Sequence, residues 1–128
     1  MARNINGSKD GDTIEPSGGK TKLAGGRGDD RYIVKDADTL VIERNNGGTD
    51  TVEAWLEYAL TDEVEHLELH GPDALKGTGN SLDNRLSGNE WDNQLFGLQG
   101  DDEHYGAGGN DVLEGGDGFD TAVFDGPS

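Results

Sequence analysis

The chain has no cysteine, so disulfides, thiolate metal sites and cysteine nucleophiles are all excluded. It has one methionine and three prolines, and aromatic residues make up only 6% of its 128 positions. Apolar residues reach 30% and mean hydropathy is −0.78, too little for a large conventional core. No long apolar run is present that could cross a membrane as a helix, and no leader segment is recognisable. Positive charge is nearly missing from most of the chain. Residues 45–128 hold two basic residues, Lys76 and Arg85, against nineteen acidic ones, whereas residues 1–44 balance eight against eight. The net charge of −17 therefore belongs to the C-terminal two thirds. Such a surface repels nucleic acid and anionic membranes and attracts multivalent cations.

One domain is expected at this length. Twenty-two glycines with this charge would ordinarily describe a disordered segment. A small chain with a thin core and no disulfide needs another staple, and bound metal is the usual one. The expectation is a chain disordered without a cation and ordered with one.

What argues for order is a period. Gly79, Gly88, Gly97, Gly106 and Gly115 recur every nine residues. Asn84, Asn93, Asp102, Asp111 and Asp120 follow at a constant offset, and Leu86, Leu95, His104, Leu113 and Ala122 come two positions later. A turn residue, an oxygen ligand type and an inward residue thus travel together. The N-terminus repeats this less regularly, with Asp12, Thr21 and Asp30 at the ligand position and Ile14, Leu23 and Tyr32 at the inward one. Residues 31–70 break the period. There Tyr32-Ile33-Val34, Leu40-Val41-Ile42, Thr51-Val52 and Leu67 with Leu69 read as strands, whereas Trp55 to Leu60 fits strand or helix. We expect larger coils here, stacked on the same axis.

A nine-residue unit makes one tight turn and one short strand, so two units close a coil of about eighteen residues. Turns on one edge then align Asn84 with Asp102 and Asp120, and Asn93 with Asp111 on the other; Asp12 and Asp30 have the same separation. Glycine permits left-handed turns that aim carbonyls at a cavity. Carboxylates and carbonyls together suit calcium, a hard cation taking six to eight oxygens; soft metals would want ligands this period lacks.

The segments Gly97-Leu98-Gln99-Gly100-Asp101-Asp102, Gly115-Gly116-Asp117-Gly118-Phe119-Asp120 and Gly25-Gly26-Arg27-Gly28-Asp29-Asp30 resemble the RTX (hemolysin-type) calcium-binding repeat family. The segments Gly48-Thr49-Asp50-Thr51-Val52 and Gly79-Asn80-Ser81-Leu82-Asp83-Asn84 resemble its inter-repeat sequences. The resemblance implies an all-β, right-handed parallel β-roll with several calcium ions, in a secreted, extracellular protein exported by type I secretion machinery. One domain is expected, with N-terminal repeats over 1–33, longer coils over 34–78 and nonapeptide repeats over 79–124, as a piece of a larger protein. The expected calcium residues are Asp12, Gly28, Asp30, Asp50, Asn84, Asn93, Gly100, Asp101, Asp102, Gly109, Asp111, Gly118 and Asp120. Leu82 and Trp91 stand where glycine occupies Gly100, Gly109 and Gly118, and Asn84 and Asn93 offer only amide oxygens, so those two turns are the weakest sites.

No nucleophile, base and orienting group can be read together, so the module is expected not to be an enzyme; catalysis would belong to an attached protease, lipase, polysaccharide-active enzyme or adhesin. His104 is expected to be a hydrogen-bonded core histidine. His66 and His70 flank Glu68 in an order that is not the zinc-protease one, and a solvated face is expected. Arg27-Gly28-Asp29 is accounted for by the repeat. Resemblance to repeat modules of alginate-modifying enzymes supplies an alternative, binding of an acidic polysaccharide through Lys20, Lys22, Arg27, Arg31, Lys35 and Arg44 on one face.

Overall fold

Each nine-residue unit allots about three residues to extended backbone before glycine, asparagine or aspartate turns it back, so every strand is short. The computed structural model of the chain describes residues 3–6, 11–15, 21–35, 39–43, 48–71 and 75–123. Among these, every regular element is a strand. They are β1 (Arg3–Asn6), β2 (Thr13–Ile14), β3 (Thr21–Ala24), β4 (Arg31–Val34), β5 (Thr39–Val41), β6 (Thr51–Ala54), β7 (Tyr58–Ala59), β8 (His66–Leu69), β9 (Lys76–Thr78), β10 (Arg85–Ser87), β11 (Gln94–Phe96), β12 (Glu103–Tyr105), β13 (Val112–Glu114) and β14 (Thr121–Val123). Trp55 to Leu60 therefore supplies a strand, β7, and no helix.

Successive strands go to opposite walls. The even-numbered strands form one seven-stranded sheet in the order β14-β12-β10-β8-β6-β4-β2. The odd-numbered strands form the other wall, divided into β1-β3-β5 and β13-β11-β9-β7. Pairing is parallel throughout, as between β10 and β12 and between β11 and β13. This is a parallel β-roll.

Period-two alternation within each strand turns one apolar side chain inward. Parallel register stacks those side chains into columns. Ile14, Tyr32, Val52, Leu67, Leu86 and His104 form one column along the seven-stranded sheet, and all are buried. Ala122 ends that column and is exposed. On the other wall Leu23 pairs with Val41, and Leu95 lies between Gly77 and Leu113. A Cβ at Gly77 would lie 2.9 Å from Leu67 Cδ2 and 3.2 Å from Leu95 Cδ2, so the leucines already fill its level.

The middle coils differ from the regular 18-residue spacing seen between Asn84 and Asp102. The coil joining Asp30 to Asp50 has 20 residues and the one joining Glu65 to Asn84 has 19, as expected for larger coils. The coil from Asp50 to Glu65 has only 15 and corrects that expectation. It stays short because β7 contributes just Tyr58 and Ala59, after which Leu60 and Val64 return directly into the interior. The four-residue strands here add a second inward column, Val34, Ala54 and Leu69, all buried. This explains why apolar residues concentrate over 31–70: these levels rely on core packing more than the others do.

His104 is the one polar member of the core column. Its ring is buried and, contrary to expectation, neither Nδ1 nor Nε2 has a hydrogen-bond partner. Burial lowers its pKa below the ordinary histidine value, so it packs as a neutral ring. Two buried nitrogens without partners carry a desolvation cost. His104→Leu, similar in size and matching Leu86 one coil away, should therefore raise stability by about 1–2 kcal/mol; urea denaturation in calcium checks this, and a loss of stability would show that the imidazole makes a needed polar contact.

Candidate metal centre

The residue just before each even-numbered strand occupies the same edge of the roll. In order these are Asp12, Asp30, Asp50, Glu65, Asn84, Asp102 and Asp120. Six of the seven are acids, and hydrogen bonds link them into a ladder. The N–H of Asp12 donates to Asp30 Oδ1 at 2.8 Å, that of Asp30 to Asp50 Oδ1 at 2.9 Å, and that of Asp50 to Glu65 Oε1 at 2.9 Å. Beyond Asn84 the pattern resumes: the Asn84 N–H donates to Asp102 Oδ1 at 2.7 Å and the Asp102 N–H to Asp120 Oδ1 at 2.8 Å. On the opposite edge the Asn93 N–H donates to Asp111 Oδ1 at 2.8 Å. Each carboxylate thus caps the backbone one coil earlier with a single oxygen.

The second oxygen turns inward. In Asp30, Asp50 and Asp102 it is buried and has no hydrogen-bond partner. In Asp30 and Asp102 it lies against a turn glycine: a Cβ on Gly25 would collide with Asp30 Oδ2, and one on Gly97 would collide with Asp102 Oδ2 and approach the Gly115 carbonyl at 2.8 Å. Only glycine leaves room for this oxygen and the neighbouring carbonyl to share one space. Burial raises the carboxyl of Asp102 to about 6, and backbone hydrogen bonding from Asn84 only partly opposes it. Burial likewise raises Asp50 to about 6 and pushes up Asp30, Glu65 and Asp111. Acids buried beside one another without a counter-charge are unfavourable; two carboxylates at 4 Å repel by about 4 kcal/mol at an effective dielectric of 20. Inward oxygens flanked by carbonyls fit a hard cation.

Asn84 interrupts the ladder in an informative way. Its Oδ1 accepts the Asn80 N–H at 2.8 Å, while its Nδ2 donates to the Glu65 carbonyl at 3.1 Å and to Asn80 Oδ1 at 3.0 Å. Asn93 does likewise, accepting from the Asn89 N–H at 2.7 Å and donating to the Leu75 carbonyl at 3.3 Å. Asn80 and Asn89 in turn accept from the N–H groups of Leu82 and Trp91 at 2.9 Å each. These turns are closed by side-chain amides, whose NH₂ donors meet carbonyls that a cation would otherwise meet. The acidic turns are closed differently, with Gly28, Gly100, Gly109 and Gly118 in the left-handed region at φ of 99°, 91°, 83° and 98°.

Other sequence candidates fall into place or disperse. Asp101 stands on the outside of the turn, where its Oδ1 accepts the Phe119 N–H at 2.8 Å. Asp83 and Asp92 do the same for Asp101 and Asn110, and Asp29 for Thr49. That second ladder ties coils together without needing a cation, and of its acids only Asp101 is among the expected calcium residues. Glu43 and Glu65 were not among the sequence candidates, because they lie in the stretch that breaks the period. Glu43 is buried and forms a cluster with Asp30 and Asp50, one carboxylate oxygen of each lying within 4.8 Å of the others.

The basic residues do not share one face. Lys22 lies on β3 and Arg31 on β4, in opposite walls. Arg31 is held by Glu53 at 2.8 Å, and Lys35 stands 3.4 Å from Glu15 and over the Trp55 ring. Arg27 is in the exposed turn after β3; Lys20 and Arg44 lie outside the described residues. A shared polysaccharide-binding face is therefore not what the described residues form. His66 does not join His70 in one cluster: His70 instead sits 3.1 Å from Glu53 and 3.6 Å from Glu68, one ligand atom of each of the three lying within 4.8 Å of the others, and stacks on Trp55 at 4.6 Å.

No curated protein and no solved structure matches the chain. A family model does match its C-terminal part, over residues 78–113 and 92–122, and its description is the RTX calcium-binding nonapeptide repeat in four copies. The matched residues run from the end of β9 into β14 and include both the amide-closed turns and the acidic turns of Asp102, Asp111 and Asp120. Residues 78–122 of this parallel β-roll thus match the RTX calcium-binding nonapeptide repeat.

Proposed function

We propose that the chain is a single calcium-dependent folding module of a secreted protein, structural and not catalytic, which orders on meeting extracellular calcium. In that role it supports export by a type I system and stabilises an attached effector. The observation that carries the reading is the set of buried inward oxygens on Asp30, Asp50 and Asp102, each lacking a hydrogen bond while its sister oxygen holds the neighbouring coil. The acidic turns of Asp12, Asp30, Asp50, Asp102, Asp111 and Asp120 are assigned to calcium, with carbonyls of Gly28, Gly100, Gly109 and Gly118 beside them. Asn84 and Asn93 are assigned to hydrogen bonding.

The energetics fit a switch. A site at tenfold its dissociation constant adds about 1.4 kcal/mol through linkage, so a handful of sites supplies about as much as a small domain's whole stability. Without the ion, repulsion among the stacked acids opposes the same coils. In a low-calcium cytosol the chain stays unfolded and suited to export; outside, it folds.

Far-UV circular dichroism should show a disordered spectrum in excess chelator and a β spectrum in millimolar calcium, with magnesium a poor substitute because it demands tighter octahedral geometry. The same β spectrum in both would refute the reading. Asp102→Asn tests the assignment within it. The variant reproduces the Asn84 chemistry one coil on, so the calcium midpoint should rise about tenfold or more, a cost of about 1.4 kcal/mol, while Asn84→Asp should not raise it.

A further inference from the structure

The cluster of Asp30, Glu43 and Asp50 lies outside the matched repeats and differs from them in make-up. Asp30 precedes β4, Glu43 follows β5 and Asp50 precedes β6, so turns from successive levels converge. All three side chains are buried, and one carboxylate oxygen from each lies within 4.8 Å of the other two. Asp30 and Asp50 are 2% and 0% exposed, and the Oδ2 of each has no hydrogen-bond partner. Their Oδ1 atoms are already engaged by backbone N–H groups.

Glu43 owes its place to register. Leu23 pairs with Val41 and the Ile42 N–H bonds the Leu23 carbonyl, which sets Glu43 level with Gly25. That is the position that Gly79, Gly97 and Gly115 occupy after β9, β11 and β13. Where those turns offer a bare glycine, this one offers a third carboxylate. Tyr32 fixes it: the phenol accepts the Gly25 N–H at 2.6 Å and donates to Glu43 Oε1.

We propose that Asp30, Glu43 and Asp50 form a closed calcium site of their own, created by glutamate at the turn-glycine position. The inference adds Glu43 to the calcium reading of Asp30 and Asp50, makes of the three a distinct site, and rests on that reading. The donors are all oxygen, which favours a hard cation over zinc or copper. Three full charges, against the mixed acid and amide surroundings of Asp102, give this site the higher affinity. It joins the levels where the coil lengthens from 18 to 20 residues. The ion therefore clamps the regular N-terminal coils to the core-rich middle, and this site fills first in a titration. The competing arrangement has no ion, Glu43 and Asp50 sharing a proton instead.

Native mass spectrometry of the whole chain in calcium tests the proposal. Glu43→Gln should bind one ion fewer than the unaltered chain, Asp102→Asn should lose a different ion, and the double variant should lose both. Glu43→Gln with the full complement overturns the proposal and supports the shared proton. An unaltered chain that takes up no calcium overturns the calcium reading as a whole, a separate failure. If Glu43→Gln does not fold in calcium, europium luminescence of the unaltered chain decides. One bound ion should decay almost equally in H₂O and D₂O, as a closed three-carboxylate site requires, and several coordinated waters on every ion would overturn the proposal.

Discussion

The roll depends on a carboxylate that has two tasks. One oxygen must accept the N–H of the coil before it, because that N–H lies just outside the strand ladder and would otherwise be buried without a partner. The other oxygen is then forced inward, beside a glycine and its carbonyls. Asp102 shows both halves: Oδ1 at 2.7 Å from the Asn84 nitrogen, and Oδ2 buried with no hydrogen bond. The hydrogen bond stacks the coils and the stacking concentrates the charge. A divalent cation resolves the conflict, which is why the interior column can be as thin as one side chain per strand.

The middle of the chain resolves it in another way. At Asn84 and Asn93 an amide takes the acid's place, its oxygen capping a local N–H and its nitrogen meeting the carbonyls of Glu65 and Leu75. Those levels are internally satisfied. Nearby, Val34, Ala54, Val64 and Leu69 widen the apolar core. The roll thus alternates between stretches stabilised by buried apolar surface and stretches stabilised by an ion, and the acidic turns flank the core-rich levels on both sides.

How much of this the sequence carried follows from its periodicity. Where the nine-residue register holds, spacing alone identified the walls, the inward column and the alignment of Asp102 with Asp120, since parallel stacking turns sequence offset into spatial offset. Where the register breaks, that translation fails. Glu65 was not legible because coils of 20 and 15 residues displace it from any fixed offset, whereas Glu43 keeps its register with Gly25 but puts glutamate where the period has glycine. The short coil itself was hidden for the same reason: loop length is set by how Leu60 and Val64 reach the interior, which no period encodes. Composition could not reveal that Asn84 points its amide nitrogen, not its oxygen, at the carbonyls, because that depends on the donor Asn80 supplies. His104 was legible as inward but not as lacking partners, which only its packed surroundings determine.

The ladder itself is open to direct observation by amide hydrogen exchange at Asp12, Asp30, Asn84, Asn93 and Asp102, whose N–H groups donate to carboxylates of the next coil. With calcium bound, these amides should be protected together with the strand amides beside them. In chelator they should exchange at the rate of an unfolded chain. Equal protection at these five amides with and without calcium would contradict the account, since it would mean that the stacked carboxylates hold their coils without a counter-ion.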